Sequence, residues 1–170
     1  MIAISEANDS EQLQHIRSLL HAFVDWLRQR YADDNQVIDD YFDVNAYEQE
    51  LSSLPGKYAP PRGRLLLSLF DGQAAGCVAL REINEQACEM KRMFVDPHFH
   101  GKALGRALCE AIIFEARSIG YLSMRLDTGI KQVEAQGLYQ SMGFKRINAY
   151  YEVPEQLEKS LVFMELSLQP

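Results

Sequence analysis

Met93-Phe94-Val95-Asp96-Pro97-His98-Phe99-His100-Gly101-Lys102-Ala103-Leu104-Gly105-Arg106-Ala107-Leu108 is the stretch that decides the fold. An apolar run ends at Pro97, which cannot donate to a strand ladder, and seven residues later an apolar helix begins at Leu104. The turn between them has small residues at 101, 103 and 105. Small residues permit unusual backbone angles and let N–H groups crowd around one point. A helix N-terminus adds unpaired N–H groups and the positive end of its dipole. Together these make an anion site suited to a diphosphate, with Lys102 and Arg106 adding charge at its mouth. The plainer reading of the same residues is a strand–turn–helix whose glycines serve tight packing.

Outward from this stretch the chain alternates in a readable way. Upstream, Arg64–Phe70 is a dense apolar run, Asp71-Gly72 a hairpin signal, and Ala75–Ile83 and Gln86–Val95 are the next strands. Downstream, Leu104, Leu108, Ile112 and Ile119, with Ala107 and Ala111, follow helical spacing up to Gly120. Leu122, Met124 and Leu126 alternate as a strand, and Ala135, Leu138, Tyr139 and Met142 share one helix face that ends at Gly143. Phe144–Tyr151 and Leu161–Leu168 read as strands joined by a loop around Pro154. At the start, Met1–Ser5 reads as a strand. Asp9 or Ser10 can cap a helix carrying Leu13, Ile16, Leu20, Phe23 and Leu27 to about Arg30. A short helix from Val44 to Leu54 follows, before the punctuation of Pro55-Gly56 and Pro60-Pro61. Strands alternate with helices only in the middle, so the class is α+β with a mixed sheet. There is no GxGxxG, which argues against a doubly wound dinucleotide fold. With no internal repeat, residues 1–170 are expected to form a single domain.

Composition narrows the function classes. No apolar run is long enough for a membrane span, and MIAISEANDS has neither the basic nor the apolar region of a signal peptide. Cys77, Cys88 and Cys109 are odd in number without a CxxC spacing, which fits a reducing, cytoplasmic setting rather than a disulfide framework. The net charge is −7, and all of it lies between Tyr31 and Gly56, where Asp33, Asp34, Asp39, Asp40, Asp43, Glu48 and Glu50 occur without a Lys or Arg. The neutral remainder lacks the basic balance of a general nucleic-acid binder. A solvated, loosely ordered connection is the simplest reading of the acidic stretch.

His98-Phe99-His100-Gly101-Lys102-Ala103 resembles the (Gln/Arg)-x-x-Gly-x-(Gly/Ala) acyl-CoA motif of the GNAT N-acetyltransferases. Downstream, Ala135 to Phe144 resembles that family's A-x-x-L-Y-x-x-x-G-F signature. Two motifs in the right order, with the right elements between them, are more specific than either alone. The match is firm from Lys91 to Phe144 and the element order extends it over the chain. His98 and His100 depart from the usual Gln or Arg and Arg, and Gln132 stands where Asn is common. His98 and His100 also form an H-x-H pair, but no further ligand has matching spacing, so no metal is expected.

The resemblance implies a mostly antiparallel sheet, flanked by helices, whose central strands splay. Acetyl-CoA, the acyl donor, would enter that gap along Met93, Phe94 and Val95. Its diphosphate would sit on His98, Phe99, His100, Gly101, Lys102, Ala103, Leu104, Gly105 and Arg106, with Gln132 and Tyr139 close by. The acceptor amine would attack the thioester directly, so the cysteines are packing residues. Tyr139 would protonate the leaving thiolate. Glu89 is the first candidate for the base and Asp127 the second, and Tyr150 and Tyr151 would wall the acceptor site or simply pack. The expected reaction is acetyl transfer to a primary amine of a small molecule or peptide. The acidic stretch, on the acceptor side in such folds, points to a cationic acceptor. The alternatives are a non-catalytic acyl-CoA sensor or partner module and a ligand-free structural domain. No nucleic-acid or membrane partner is expected. A homodimer is common among such folds, though no helix here advertises an interface.

Overall fold

The computed structural model describes residues 1–170. In chain order it comprises β1 (Ile2–Glu6), α1 (Ser10–Arg30), α2 (Gln36–Tyr41), α3 (Val44–Ser52), β2 (Arg64–Phe70), β3 (Gln73–Glu82) and β4 (Ala87–Val95). There follow α4 (Leu104–Ile119), β5 (Ser123–Gly129), α5 (Val133–Ser141), β6 (Lys145–Ile147) and β7 (Leu161–Ser167). The seven strands form one sheet in the order β1-β2-β3-β4-β5-β7-β6. Every neighbouring pair is antiparallel except β4–β5. No helix is long and apolar enough to cross a membrane.

Local chemistry sets the helix ends. Asp9 Oδ1 accepts from the Gln12 amide at 2.8 Å while Gln12 Oε1 accepts back from the Asp9 amide, a capping box that starts α1. Asp43 caps α3 by accepting from the Ala46 amide at 2.8 Å. Gly120, at φ +106°, ends α4 in the left-handed region.

Each sheet face has its own core. On one, Leu108 and Ile112 of α4 bury against Val78, Leu80, Met90 and Met124. On the other, Ile16, Leu20 and Phe23 of α1 and Leu51 of α3 bury against Leu65, Leu67, Cys77 and Ala79. Each fully buried aliphatic side chain stabilises the fold by roughly 1.5–3 kcal/mol, so both faces are firmly sealed. The three cysteines lie within these cores, and burial pushes each thiol up to about 12. They are packing residues, as expected.

Two irregularities of β4 make the site. First, β4 pairs with β5 only from Ala87–Ser123 to Glu89–Arg125, and beyond Glu89 the two strands part while β5 stays paired with β7 as far as Gly129. Secondly, β4 carries an extra residue against β3 between Lys91 and Phe94, with Arg92 at φ +59°. Such a bulge reverses the alternation of side chains. Lys91 faces Tyr41 of α2, and Arg92, its neighbour, lies over Phe42 and Tyr47 on the same side. Simple alternation would have sent Arg92 into the α4 core beside Met90.

Three regions differ from the sequence expectation. The acidic segment is not a loose connection, because it folds into α2 and α3. Six residues of α2 are too few to show a helical period, and its single buried side chain is Ile38. The strand expected over Phe144–Tyr151 is only β6, Lys145–Ile147. Past Ile147 the chain leaves the edge of β7, and the rings of Tyr150 and Tyr151 meet Phe163 edge-on at 5.5 and 5.3 Å. The remaining strands shift by a few residues at their ends; the one read as Leu122–Leu126 runs Ser123–Gly129.

Candidate active site

The turn after β4 is an amide cradle. Asp96 accepts from the amide and the ring Nδ1 of His98, at 2.9 and 2.7 Å, which fixes the short 3-10 turn at Pro97–Phe99. His100 donates through Nε2 to the Val95 carbonyl at 2.9 Å, tying the turn back to the strand end. Gly101 and Ala103 then adopt left-handed angles, φ +78° and +63°. The amides of Gly101, Lys102, Ala103, Leu104, Gly105 and Arg106 have no acceptor within the protein, and bonding resumes when the Ala107 amide donates to the Ala103 carbonyl. Six successive free donors at a helix N-terminus form a strong anion site.

The charged side chains expected at its mouth are turned elsewhere. Lys102 Nζ lies 4.7 Å from the centre of the Phe70 ring, and Arg106 bonds Ser141 Oγ at 2.8 Å. The exposed His98 ring bonds only Asp96, while His100 bonds Val95, so the two histidines do not converge on a metal.

Two cavities occupy the splay. One runs over the cradle past Val95, Phe99, His100, Gly101 and Leu104, and is walled across the gap by Trp26, Ala135 and Leu138. The other lies between the parted strands, lined by Lys91, Arg92, Leu126, Asp127 and Thr128, with α1 and α2 above it. Both are lined by Phe23, Met93, Gln132 and Tyr139, so the two spaces meet there. Phe94 turns its ring into the α1 core against Phe23, 5.2 Å between centres.

Tyr139 stands at the junction. Its ring packs 5.7 Å from that of Phe144, and the residue is 5% exposed. Its hydroxyl has no partner within the protein, yet it is not among the buried, sealed hydroxyls. Burial pushes the phenol well above its ordinary value, so it stays protonated and can donate. Gln132 Oε1 accepts from the Gly129 amide at 2.8 Å, which holds the start of α5 against the end of β5. A side chain at Gly129 would collide with the Tyr31 hydroxyl and Gln132, so the backbone must come this close.

The two carboxylates sit differently. Asp127 lines the inner cavity; its Oδ1 accepts from Tyr41 at 2.6 Å and its Oδ2 from Tyr151 at 2.9 Å. Glu89 is 1% exposed and lies before the strands part. Its oxygens accept from Arg81 Nε at 2.7 Å and Tyr150 at 2.5 Å. The sequence reading missed Tyr41, Lys91 and Trp26. Tyr41 lies in the unrecognised α2, and Lys91 is placed by the bulge. Trp26, on α1, carries no spacing signal for a groove on α5.

The acetyltransferase (GNAT) family profile matches residues 20–144. The chain is 38% identical over 123 residues to an uncharacterized N-acetyltransferase of Schizosaccharomyces pombe, covering 71% of this chain and 74% of that protein. It is 32% identical over 120 residues to the N-acetylaspartate synthetase of Danio rerio, covering 69% of this chain and 42% of that one. Among solved structures, the PaiA N-acetyltransferase of Thermoplasma acidophilum in complex with coenzyme A superposes with a TM-score of 0.69 at 18% identity, over 98% of this chain and 99% of that one. The family profile and these relatives define an acyl-CoA-dependent transferase. The chain belongs to the GNAT acetyltransferase family and is an acetyl-CoA-dependent N-acetyltransferase.

Proposed function

We propose that residues 1–170 act as one acetyltransferase domain that moves an acetyl group from acetyl-CoA to a primary amine of a small molecule or peptide by direct attack in a ternary complex. The observation that carries this reading is the meeting of two cavities at Tyr139, one founded on the amide cradle and the other on Asp127. The diphosphate lies on the amides of Gly101–Arg106, and the pantetheine runs along the free edge of β4 at Met93–Val95. The neutral amine attacks the thioester carbon, the C–S bond breaks, and Tyr139 gives its proton to the departing thiolate. Asp127 makes that neutral amine by taking the proton of the bound ammonium, because it lines the inner cavity while Glu89 does not, and the proton lost from nitrogen as the intermediate collapses restores the Tyr139 hydroxyl. Glu89 then acts as a positioning residue that holds Tyr150 and Arg81.

Four of the seven acids of the acidic segment meet a basic side chain, which weakens the field it offers a cationic acceptor. Asp33 pairs with Lys131, Asp39 with Arg28, Glu48 with His21, and Glu50 with Arg92 and Lys57. Coenzyme A release from acetyl-CoA against a panel of amines tests the transfer. Acetyl-CoA binding without release for any acceptor would make the protein a sensor instead.

A further inference from the structure

Lys91 is the cation of the inner cavity that the fold leaves without a close partner. The neighbouring cations are engaged. Arg92 holds Glu50 through two bonds of 2.9 and 3.2 Å, Arg81 holds Glu89, Arg125 holds Glu165, and Lys131 holds Asp33. Lys91 Nζ makes no hydrogen bond at all; its one ion pair, to Glu89 Oε1, is 3.9 Å long, and that carboxylate already serves Arg81 and Tyr150. The Lys91 side chain is 18% exposed, its ammonium 5.9 Å from the centre of the Tyr41 ring. Nζ is not among the fully sealed polar atoms, so it opens on the cavity, and withdrawing an ammonium this far from bulk water carries a cost that an acceptor there would offset. The same burial lowers the Lys91 pKa from its ordinary value, with Glu89 and Asp127 acting the other way and Arg92 and Lys57 adding to the fall. A carboxylate placed against it would relieve that cost.

We propose that Lys91 binds a carboxylate of the acceptor, so that the amine acetylated here is an amino acid or another amine that also carries a carboxylate. This rests on the acetyl-transfer reading above and names the acceptor class of that same site. The inner cavity would then match both ends of a zwitterion, Asp127 facing the ammonium and Lys91 the carboxylate. The apolar wall of Phe23, Leu27 and Ile38 would take the rest of the molecule. Lys91 also disfavours a purely cationic amine, by like-charge repulsion.

The test compares amino acids with their carboxamides, which keep the amine and lose the charge. Coenzyme A release and the melting-temperature shift in the presence of coenzyme A are both read, for the wild type, Lys91→Gln and Lys91→Arg. The wild type should favour the acids in kcat/KM by about 10–100-fold, the range for a hydrogen-bonded charged group. Lys91→Gln should bring the acid-to-amide ratio near one, chiefly through KM, and Lys91→Arg should keep part of it. Equal kcat/KM and equal thermal shifts for acids and amides in the wild type would overturn the proposal, as would an equal loss on both series in Lys91→Gln. The wild-type thermal shift decides the matter even if a variant fails to fold. Selective stabilisation by the acids with no coenzyme A release for any amine would support the carboxylate site and overturn the transfer reading instead.

Discussion

The two ends of the proposed site, donor and acceptor, are built from different material. The donor end is backbone: six consecutive amides, Gly101 to Arg106, with the nearby charged side chains turned away. The acceptor end is side chain: Tyr41 from α2, Lys91 from β4, Asp127 from β5 and Tyr151 from beyond β6. Amide geometry depends on φ and ψ and tolerates many side chains, which explains how His98 and His100 can stand at positions where such motifs carry Gln or Arg. The acceptor end has no such tolerance, because each group comes from a different element and does a different task. Donor binding should therefore respond to backbone strain, and acceptor chemistry to single atoms.

Tyr139, where the ends meet, is the place for the largest effect. Tyr139→Phe should lower kcat by about 10²–10⁴-fold, the usual share of a general acid, while acetyl-CoA affinity by calorimetry stays close to the wild type. Full turnover in this variant across the pH range would rule out proton donation.

The next effect concerns stability on the acceptor side. Burial pushes the Glu50 carboxyl up, but its bonds to Arg92 and Lys57 prevail and hold it at about 2. A carboxyl held below its ordinary value contributes stability above that value and loses it as the pH falls through the folded one. Arg92→Ala leaves Glu50 with Lys57 as its one cation and should cost about 1.5–3 kcal/mol at neutral pH by chemical denaturation. The gap to the wild type should close between pH 4.5 and about 2. A gap that did not change over that range would show that Arg92 acts by packing alone.

Asp127→Asn should then lower kcat by about 10²-fold at neutral pH. The deficit should shrink at higher pH, where the free amine loses its proton to solvent. A deficit independent of pH would move the base elsewhere, with Glu89 the next carboxylate to test.

The smallest contrast is within the donor end. Gly101→Val forces a branched residue to φ +78° and should weaken acetyl-CoA binding by about 5–30-fold, the equivalent of 1–2 kcal/mol of left-handed strain. His98→Ala should change it by less than about 3-fold, since the exposed ring bonds only Asp96 and exposed pairs contribute little. If His98→Ala were the worse of the two, the cradle would depend on side chains after all.

The same division separates what could be read along the chain from what could not. The strand end, turn and helix start of the donor end lie within the sixteen consecutive residues 93–108, where Gly101, Ala103 and Gly105 mark the turn. Tyr139 was legible through its place in the Ala135–Phe144 signature. Lys91 and Arg92 were not, because the bulge that puts both on one face is a property of how β4 meets β3. Tyr150 and Tyr151 are aromatic residues that suit a strand, so Phe144–Tyr151 reads as one. In the fold they leave the edge of β7 and bond Glu89 and Asp127.

The sequence by itself determined the α+β class and the order of most elements, and it offered the cradle and Tyr139 as the candidate acid, because each depends on residues close together in the chain. Tertiary structure alone decided which carboxylate reaches the cavity, that four of the seven acids of the acidic stretch meet a basic side chain, and that Lys91 stands there without a close partner. Those facts depend on contacts between distant elements, such as Tyr41 with Asp127 and Glu50 with Arg92. The register of the sheet and the cover of α1 to α3 bring such groups together, and neither is written in local spacing.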